Sequence, residues 1–198
     1  MSDLLAYLVL GFRHIADPSA ADHLLFLLVL GAVYRLQDWR AALLTVSAFT
    51  VGHSITLGIA VAGWLTPSSA WIEFLIPVTI VATGVENLWR GERVSHGRWP
   101  MVRPALALMF GLVHGLGFAG YLRALLGDEI GVPLLGFNLG VEMGQVMILA
   151  AAAVLFAGID ALIDRVRATA AVGFAWRLRS VSAVVTLVAL VWAGERWP

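Results

Sequence analysis

Residues 132–159 read VPLLGFNLGVEMGQVMILAAAAVLFAGI, a run in which Glu142 is the only charged side chain. About 20 predominantly apolar residues are enough for a helix to cross the hydrocarbon core of a bilayer, so this run predicts a transmembrane helix. The composition agrees, because 60% of the 198 residues are hydrophobic and 13% are charged. Soluble domains carry about twice that charged fraction. The sequence therefore predicts an all-α polytopic membrane helix bundle, with residues 1–198 as a single integral membrane domain.

Six further apolar segments surround this one, which gives about seven transmembrane helices within a range of six to eight. The first segment is short for a complete crossing and is compatible with a tilted or re-entrant piece. The second and the last are also short. The predicted segments are 4–16, 20–33, 39–65, 70–89, 102–126, 132–159 and 181–193.

The distribution of arginine predicts an orientation. All thirteen basic residues are arginine, and ten of them lie between segments two and three, four and five, or six and seven. If every segment crosses, these ten share one face, which the positive-inside rule assigns to the cytoplasm. The C-terminus is then predicted outside, and the N-terminus inside if the first segment crosses. The ten are Arg35, Arg40, Arg90, Arg93, Arg98, Arg103, Arg165, Arg167, Arg177 and Arg179.

Seven ionisable side chains lie within these apolar segments or at their mouths. At membrane depth such a group costs a few kcal/mol or more without a partner, so each is a functional candidate. Imidazole and carboxylate are usual ligands of borderline divalent metals, and the absence of cysteine excludes thiolate ligands. The candidates outnumber the three or four protein ligands of a usual zinc site, which predicts two metal positions or a relay of sites. The candidate metal ligands are His14, Asp22, His23, His53, Glu86, His114 and Glu142.

The predicted depths divide these residues into two groups. Glu86 belongs to neither group, because it falls nearer the cytoplasmic end of its segment, close to Arg90. The group expected toward the outer face is His14, Asp22 and His23, and the group expected near the middle of the membrane is His53, His114 and Glu142.

Each candidate also has a structural interpretation. A lone buried histidine is often a hydrogen-bonded core residue, and Asp22 is placed to stabilise the start of the helix that follows ADPSA. Asn138, Glu142 and Gln145 are spaced i, i+4, i+7, so they share a helix face that should point into the bundle. Interhelical hydrogen bonds worth about 0.6 kcal/mol each explain Asn138 and Gln145. They explain an ionisable Glu142 poorly.

The motifs that contain these residues resemble the HupE/UreJ family of small bacterial membrane proteins. The similarity runs from about Gly11 to Gln145 and rests on HI…DHLLFLL, FTVGHSITL, the acidic positions Glu73 and Glu86-Asn87, FGLVHGLGFA and FNLGVEMGQ. It implies a multi-pass protein of the bacterial inner membrane, with six to eight helices, in nickel or cobalt uptake beside hydrogenase and urease systems. Carried over by position, the polar motif residues of the family are the same seven candidates.

Three functions remain in view. The first is a secondary permease that passes a divalent transition metal ion (Ni, Co or Zn) between histidine and carboxylate ligands. The second is a membrane-embedded, zinc-type hydrolase with the same ligands, in which Glu142 or Glu86 accepts a proton. The third is a proton-coupled or purely structural bundle whose histidines and glutamates pair with one another. We predict the permease, with the hydrolase as the alternative. Whether the chain is an enzyme therefore stays open.

The partners expected from the sequence are the metal ion and the lipid bilayer, and a homo-oligomer is compatible with the pattern. No nucleic-acid partner is expected. No nucleotide is expected either, because the chain has no GxGxxG after a strand and no Walker lysine. The chain also lacks HExxH and GxSxG, the signatures of two large classes of hydrolase.

Overall fold

The computed structural model describes residues 3–18, 21–66, 68–91, 101–126, 130–167 and 172–198, and within these ranges it contains helices but no strand. Arg93 and Arg98, two of the ten arginines counted above, lie outside the described residues. The helices are α1 (Asp3–Ala16), α2 (Ala21–Gly31), α3 (Trp39–Val61), α4 (Ser69–Arg90), α5 (Val102–Leu126), α6 (Gly131–Arg167) and α7 (Val172–Glu195), with a short 3-10 turn at Leu36–Asp38. The predicted fold class is confirmed.

Five helices, α3 to α7, are long and apolar enough to cross a membrane, whereas α1 and α2 are shorter. The predicted boundaries agree best for α5, which spans the range that was expected. The last helix was predicted too short, because α7 begins at Val172 rather than near residue 181. The sixth segment was also predicted too short, since α6 continues past Ile159 to Arg167.

Helix α1 runs parallel to the first half of α6. Gly136 lies against the backbone carbonyl of Leu4, and Gly140 lies against that of Leu8. Because the residue numbers rise together on both helices, the two chains point in the same direction. Small residues on α6 let the backbones approach closely, as is common between membrane helices.

Helix α2 continues in the same direction along the second half of α6. Near its start, the His23 ring is 4.7 Å from the His14 ring, which in turn is 5.6 Å from the Phe137 ring. At its end, Gly31 packs against Leu149 and Phe156. Helix α2 therefore begins at the depth of the N-terminal half of α6 and ends well beyond it.

Helices α1 and α2 thus run one after the other in the same direction along α6, as one interrupted crossing would, and not in opposite directions. Their 14 and 11 residues extend about 21 and 16 Å at 1.5 Å per residue, which together matches the thickness of a bilayer. The N-terminus was predicted at the arginine-rich end only if the first segment crosses the membrane by itself. Helix α1 does not do so in this arrangement. Helix α1 begins instead at the end of the bundle where α6 begins, opposite the end that carries Arg35, Arg90 and Arg177.

Helices α3 and α5 are also parallel and touch through glycine. Gly111 lies against the carbonyl of Phe49, and Gly115 lies against the carbonyl of His53. A Cβ atom at either glycine would collide with the backbone of the other helix, so only glycine allows the two helices to approach this closely. This packing fixes the helix that carries His53 against the helix that carries His114.

At the arginine-rich end, Arg177 joins three helices. Its guanidinium makes two hydrogen bonds of 2.9 Å to the carboxylate of Asp160 on α6 and donates at 2.6 Å to the carbonyl of Ala32, just after α2. The residue is 3% exposed. The sequence placed Arg177 in a connection between segments, but α7 begins five residues earlier and carries it into the core.

Candidate metal centre

Four histidines from four helices converge in the bundle. His14 is on α1, His23 on α2, His53 on α3 and His114 on α5. The ring centroids are 4.7 Å apart for His14 and His23, 6.5 Å for His14 and His53, and 5.5 Å for His23 and His114. The expected separation into an outer and a central group is therefore wrong for the histidines. The break between α1 and α2 brings all four to a common depth.

Three of the four have the geometry of a metal site. One ring nitrogen from each of His14, His23 and His53 lies within 4.8 Å of the other two. Metal–imidazole bonds of about 2.1 Å place tetrahedral ligands about 3.4 Å apart. The three side chains would therefore close by roughly 1 Å around an ion, which rotation about their side-chain bonds can supply.

Most ring nitrogens of the cluster lack hydrogen-bond partners among the described residues. Within the described part of the chain, both nitrogens of His53, Nε2 of His14, Nε2 of His23 and Nδ1 of His114 are buried and make no hydrogen bond. Nδ1 of His23 instead faces the carboxylate of Asp22 at 3.3 Å. A buried polar atom left unsatisfied costs about 1–3 kcal/mol. A histidine that serves only as a core residue would have its nitrogens bonded to neighbours. The unused lone pairs therefore favour a ligand role for these side chains.

Phenylalanine rings enclose the cluster. The His14 ring is 3.9 Å from Phe118, and the His114 ring is 5.1 Å from Phe49 and 5.4 Å from Phe26. His53 and His114 are 0% and 1% exposed. An apolar wall lowers the local dielectric and strengthens the attraction of any ligand for a cation.

Asp22 lies beside the cluster rather than in the group of three. Its Oδ1 accepts a hydrogen bond of 3.1 Å from the backbone N–H of His23 and is 3.3 Å from Nδ1 of the same residue. Its Oδ2 is 3.8 Å from Nη1 of Arg196, which follows α7. Asp22 therefore supplies negative charge close to the histidines. Nothing in the sequence indicated that Arg196 would be its partner.

Glu142 faces α3, as its helix-face pattern predicted, but it is not brought into the group of three histidines. The hydroxyl of Ser47 donates to its Oε1. One turn further on, Thr50 donates at 2.7 Å to Gln145, which accounts for that amide as an interhelical contact. Ser47 precedes His53 by six residues, or about 9 Å along α3. A ligand role for Glu142 stays a prediction, at a position distinct from the histidines.

Glu86 is held by arginines at the far end of the bundle. Its carboxylate is 3.4 Å from Nε of Arg90, the neighbour expected from the sequence, and 3.5 Å from Nη2 of Arg103, which was not anticipated. It lies seven residues, or about 10 Å along α4, beyond Thr79, which contacts His114. Its role as a ligand also stays a prediction, because the structure does not bring it to the histidine cluster.

Comparison with known proteins adds one finding. No curated protein and no solved structure matches the chain. A family model described as HupE / UreJ protein, however, matches residues 1–196, a longer stretch than the motifs alone indicated. Because that match covers almost its entire length, the chain belongs to the HupE/UreJ family.

Proposed function

We propose that this protein is a secondary permease for a divalent transition metal ion of the nickel or cobalt type, and that the histidine cluster is its binding site within the membrane. The observation that carries the proposal is the convergence of His14, His23 and His53, with buried and unbonded ring nitrogens, inside a bundle of apolar helices. Membership of a family known for transporters of this type supports it.

The chemistry of the cluster suits an ion that must be bound and then released. Neutral imidazole binds nickel, cobalt and zinc, and no cysteine is present to hold the ion as tightly as a thiolate would. Transport requires a site weak enough for the ion to leave. The carboxylate of Asp22 offsets part of the cation's charge, while Glu142 is available to exchange protons as metal binds.

The test is uptake of Ni²⁺ or Co²⁺ into proteoliposomes. Loss of a residue that only hydrogen-bonds to a metal ligand typically costs 10–100-fold in metal affinity or activity. Because His53→Ala removes a ligand itself, we expect it to reduce initial uptake by at least that factor. Glu142→Ala should also reduce uptake. The control is His96→Ala, since this histidine belongs to the polar stretch SHGRWP between the fourth and fifth predicted apolar segments. Uptake that both His53→Ala and Glu142→Ala leave unchanged would refute the permease.

A membrane metallo-hydrolase is the second candidate, since three histidines with an open fourth position are also the ligand set of several catalytic zinc sites. Metal retention distinguishes the two. The purified protein should lose its metal on dialysis if the site transports, because exchange is part of that function. Near-stoichiometric zinc that survives dialysis, together with no uptake, would support the hydrolase instead.

A further inference from the structure

His114 is the histidine whose role the metal geometry leaves undecided. Its ring lies 5.5 Å from the His23 ring, yet it is not one of the three residues that share the 4.8 Å limit. One of its ring nitrogens has a hydrogen-bond partner, because Nε2 is 3.0 Å from Oγ1 of Thr79 on α4. Its Nδ1 is buried and has no partner among the described residues.

The proton of Thr79 decides which nitrogen of His114 carries hydrogen. The Thr79 hydroxyl has one proton, and Oγ1 lies 2.7 Å from the carbonyl oxygen of Ile76, which can only accept. With the proton given to Ile76, Oγ1 can only accept from His114. Nε2 must then carry the ring hydrogen of the neutral imidazole, and Nδ1 must carry the free lone pair.

We infer that Thr79 is a positioning residue that fixes His114 as the Nε2–H tautomer, so that Nδ1 of His114 is offered to the ion as a fourth ligand. This inference rests on the proposed function, since it assigns a ligand to the same site. Outer hydrogen bonds of this kind orient metal-binding histidines and fix their tautomers. Thr79 belongs to α4, so this bond also couples a fifth helix to the cluster.

The local structure of α4 supports a dedicated role for Thr79. Thr79 is 6% exposed, as expected for a side chain directed into the bundle. One turn later, Thr83 is buried in the same way, but its hydroxyl donates to the carbonyl of Thr79 and makes no hydrogen bond to a histidine among the described residues. Thr83 is therefore a matched control.

The first experiment measures the tautomer in metal-free protein. Histidine labelled with ¹⁵N reports which ring nitrogen is protonated, and the His114 signals can be assigned by their loss in His114→Gln. We expect the hydrogen on Nε2 in the parent protein and in Thr83→Val, and a mixture of tautomers in Thr79→Val. Hydrogen on Nδ1 in the parent protein would overturn the assignment, whatever the protein does with metals.

The second experiment measures Co²⁺ affinity and its visible ligand-field absorption. We expect Thr79→Val to weaken Co²⁺ binding by about 10–100-fold and to shift the absorption, while Thr79→Ser and Thr83→Val bind as the parent does. In a His114→Ala background, Thr79→Val should cause little further loss, because the effect acts through His114. Parent-like binding by Thr79→Val would refute the positioning role. A parent protein that binds no Co²⁺ would refute both the ligand assignment and the proposed function, and the NMR result would still decide the tautomer.

Discussion

Arg177 shows how one residue secures the framework around the site. Its charge is buried, and all three of its guanidinium nitrogens donate, to the Asp160 carboxylate and to the backbone just after α2. Removing one partner of a buried ion pair leaves the other without compensation, which costs several kcal/mol. Because α2 carries His23 at its other end, this anchor also holds one ligand in place.

We expect Arg177→Met to lower the free energy of unfolding by about 3 kcal/mol, since Asp160 would lose its partner. Arg179→Met is the control, because Arg179 lies on the same helix and is exposed. Unfolding in detergent micelles, followed by tryptophan fluorescence, measures the difference. The double variant Arg177→Met with Asp160→Leu should recover part of the loss. Equal stability of Arg177→Met and Arg179→Met would contradict this account.

Ionisable residues in apolar surroundings were predictable as a set, but their partners were not. His14, His23, His53 and His114 stand out in the sequence because each interrupts or borders an apolar segment. The sequence does not say that Arg103 would pair with Glu86, since that contact joins helices whose relative rotation is set by packing. Thr79 was missed for the same reason: a threonine in a membrane helix usually bonds back to its own preceding turn, and here it does so while also contacting His114.

At the scale of helices, glycine contacts determine how far apart the ligands lie. The α3–α5 contact at Gly115 leaves no room for a Cβ atom, because that atom would collide with the carbonyl of His53 itself. A change at this position therefore acts on the backbone that carries one of the ligands. Gly120 lies on the same helix but has nothing within 4 Å of the position where a Cβ would be built.

We expect Gly115→Ala to destabilise the protein by about 1–3 kcal/mol, the usual cost of overpacking, and to weaken Co²⁺ binding as α3 and α5 move apart. Gly120→Ala should leave binding unchanged and should not destabilise, because alanine is the better helix former. Chemical unfolding and a Co²⁺ titration of both variants provide the comparison. Unimpaired binding by Gly115→Ala would show that this contact does not set the ligand spacing.

Hydropathy predicted where the helices lie along the sequence. It did not predict the direction in which each helix runs through the bundle. Residues 102–126 were predicted to be helical and are, because a long apolar run has few alternatives in a bilayer. For α1 and α2, hydropathy gave two short segments separated by ADPSA, and both a hairpin and an interrupted crossing fit that pattern. The choice depends on Gly136, Gly140 and Gly31 packing against their particular neighbours.

For the molecule as a whole, the interrupted crossing changes the topology. With α1 and α2 as one crossing, the bundle crosses six times. Both termini then lie at the end of the bundle opposite Arg35, Arg90 and Arg177. An interrupted helix also leaves its inner ends and their side chains at membrane depth, where discontinuous helices of transporters form their substrate sites.

The topology can be measured directly, because the chain contains no cysteine to remove first. We expect a membrane-impermeant maleimide to label Asp3→Cys and Pro198→Cys from the same face of intact cells. Gln37→Cys, in the arginine-rich connection between α2 and α3, should react only after permeabilisation. By the positive-inside rule the first face is the outer one. Labelling of Asp3→Cys and Pro198→Cys from opposite faces would mean that α1 crosses alone, which would leave His14 and His23 toward the outer face, apart from His53 and His114.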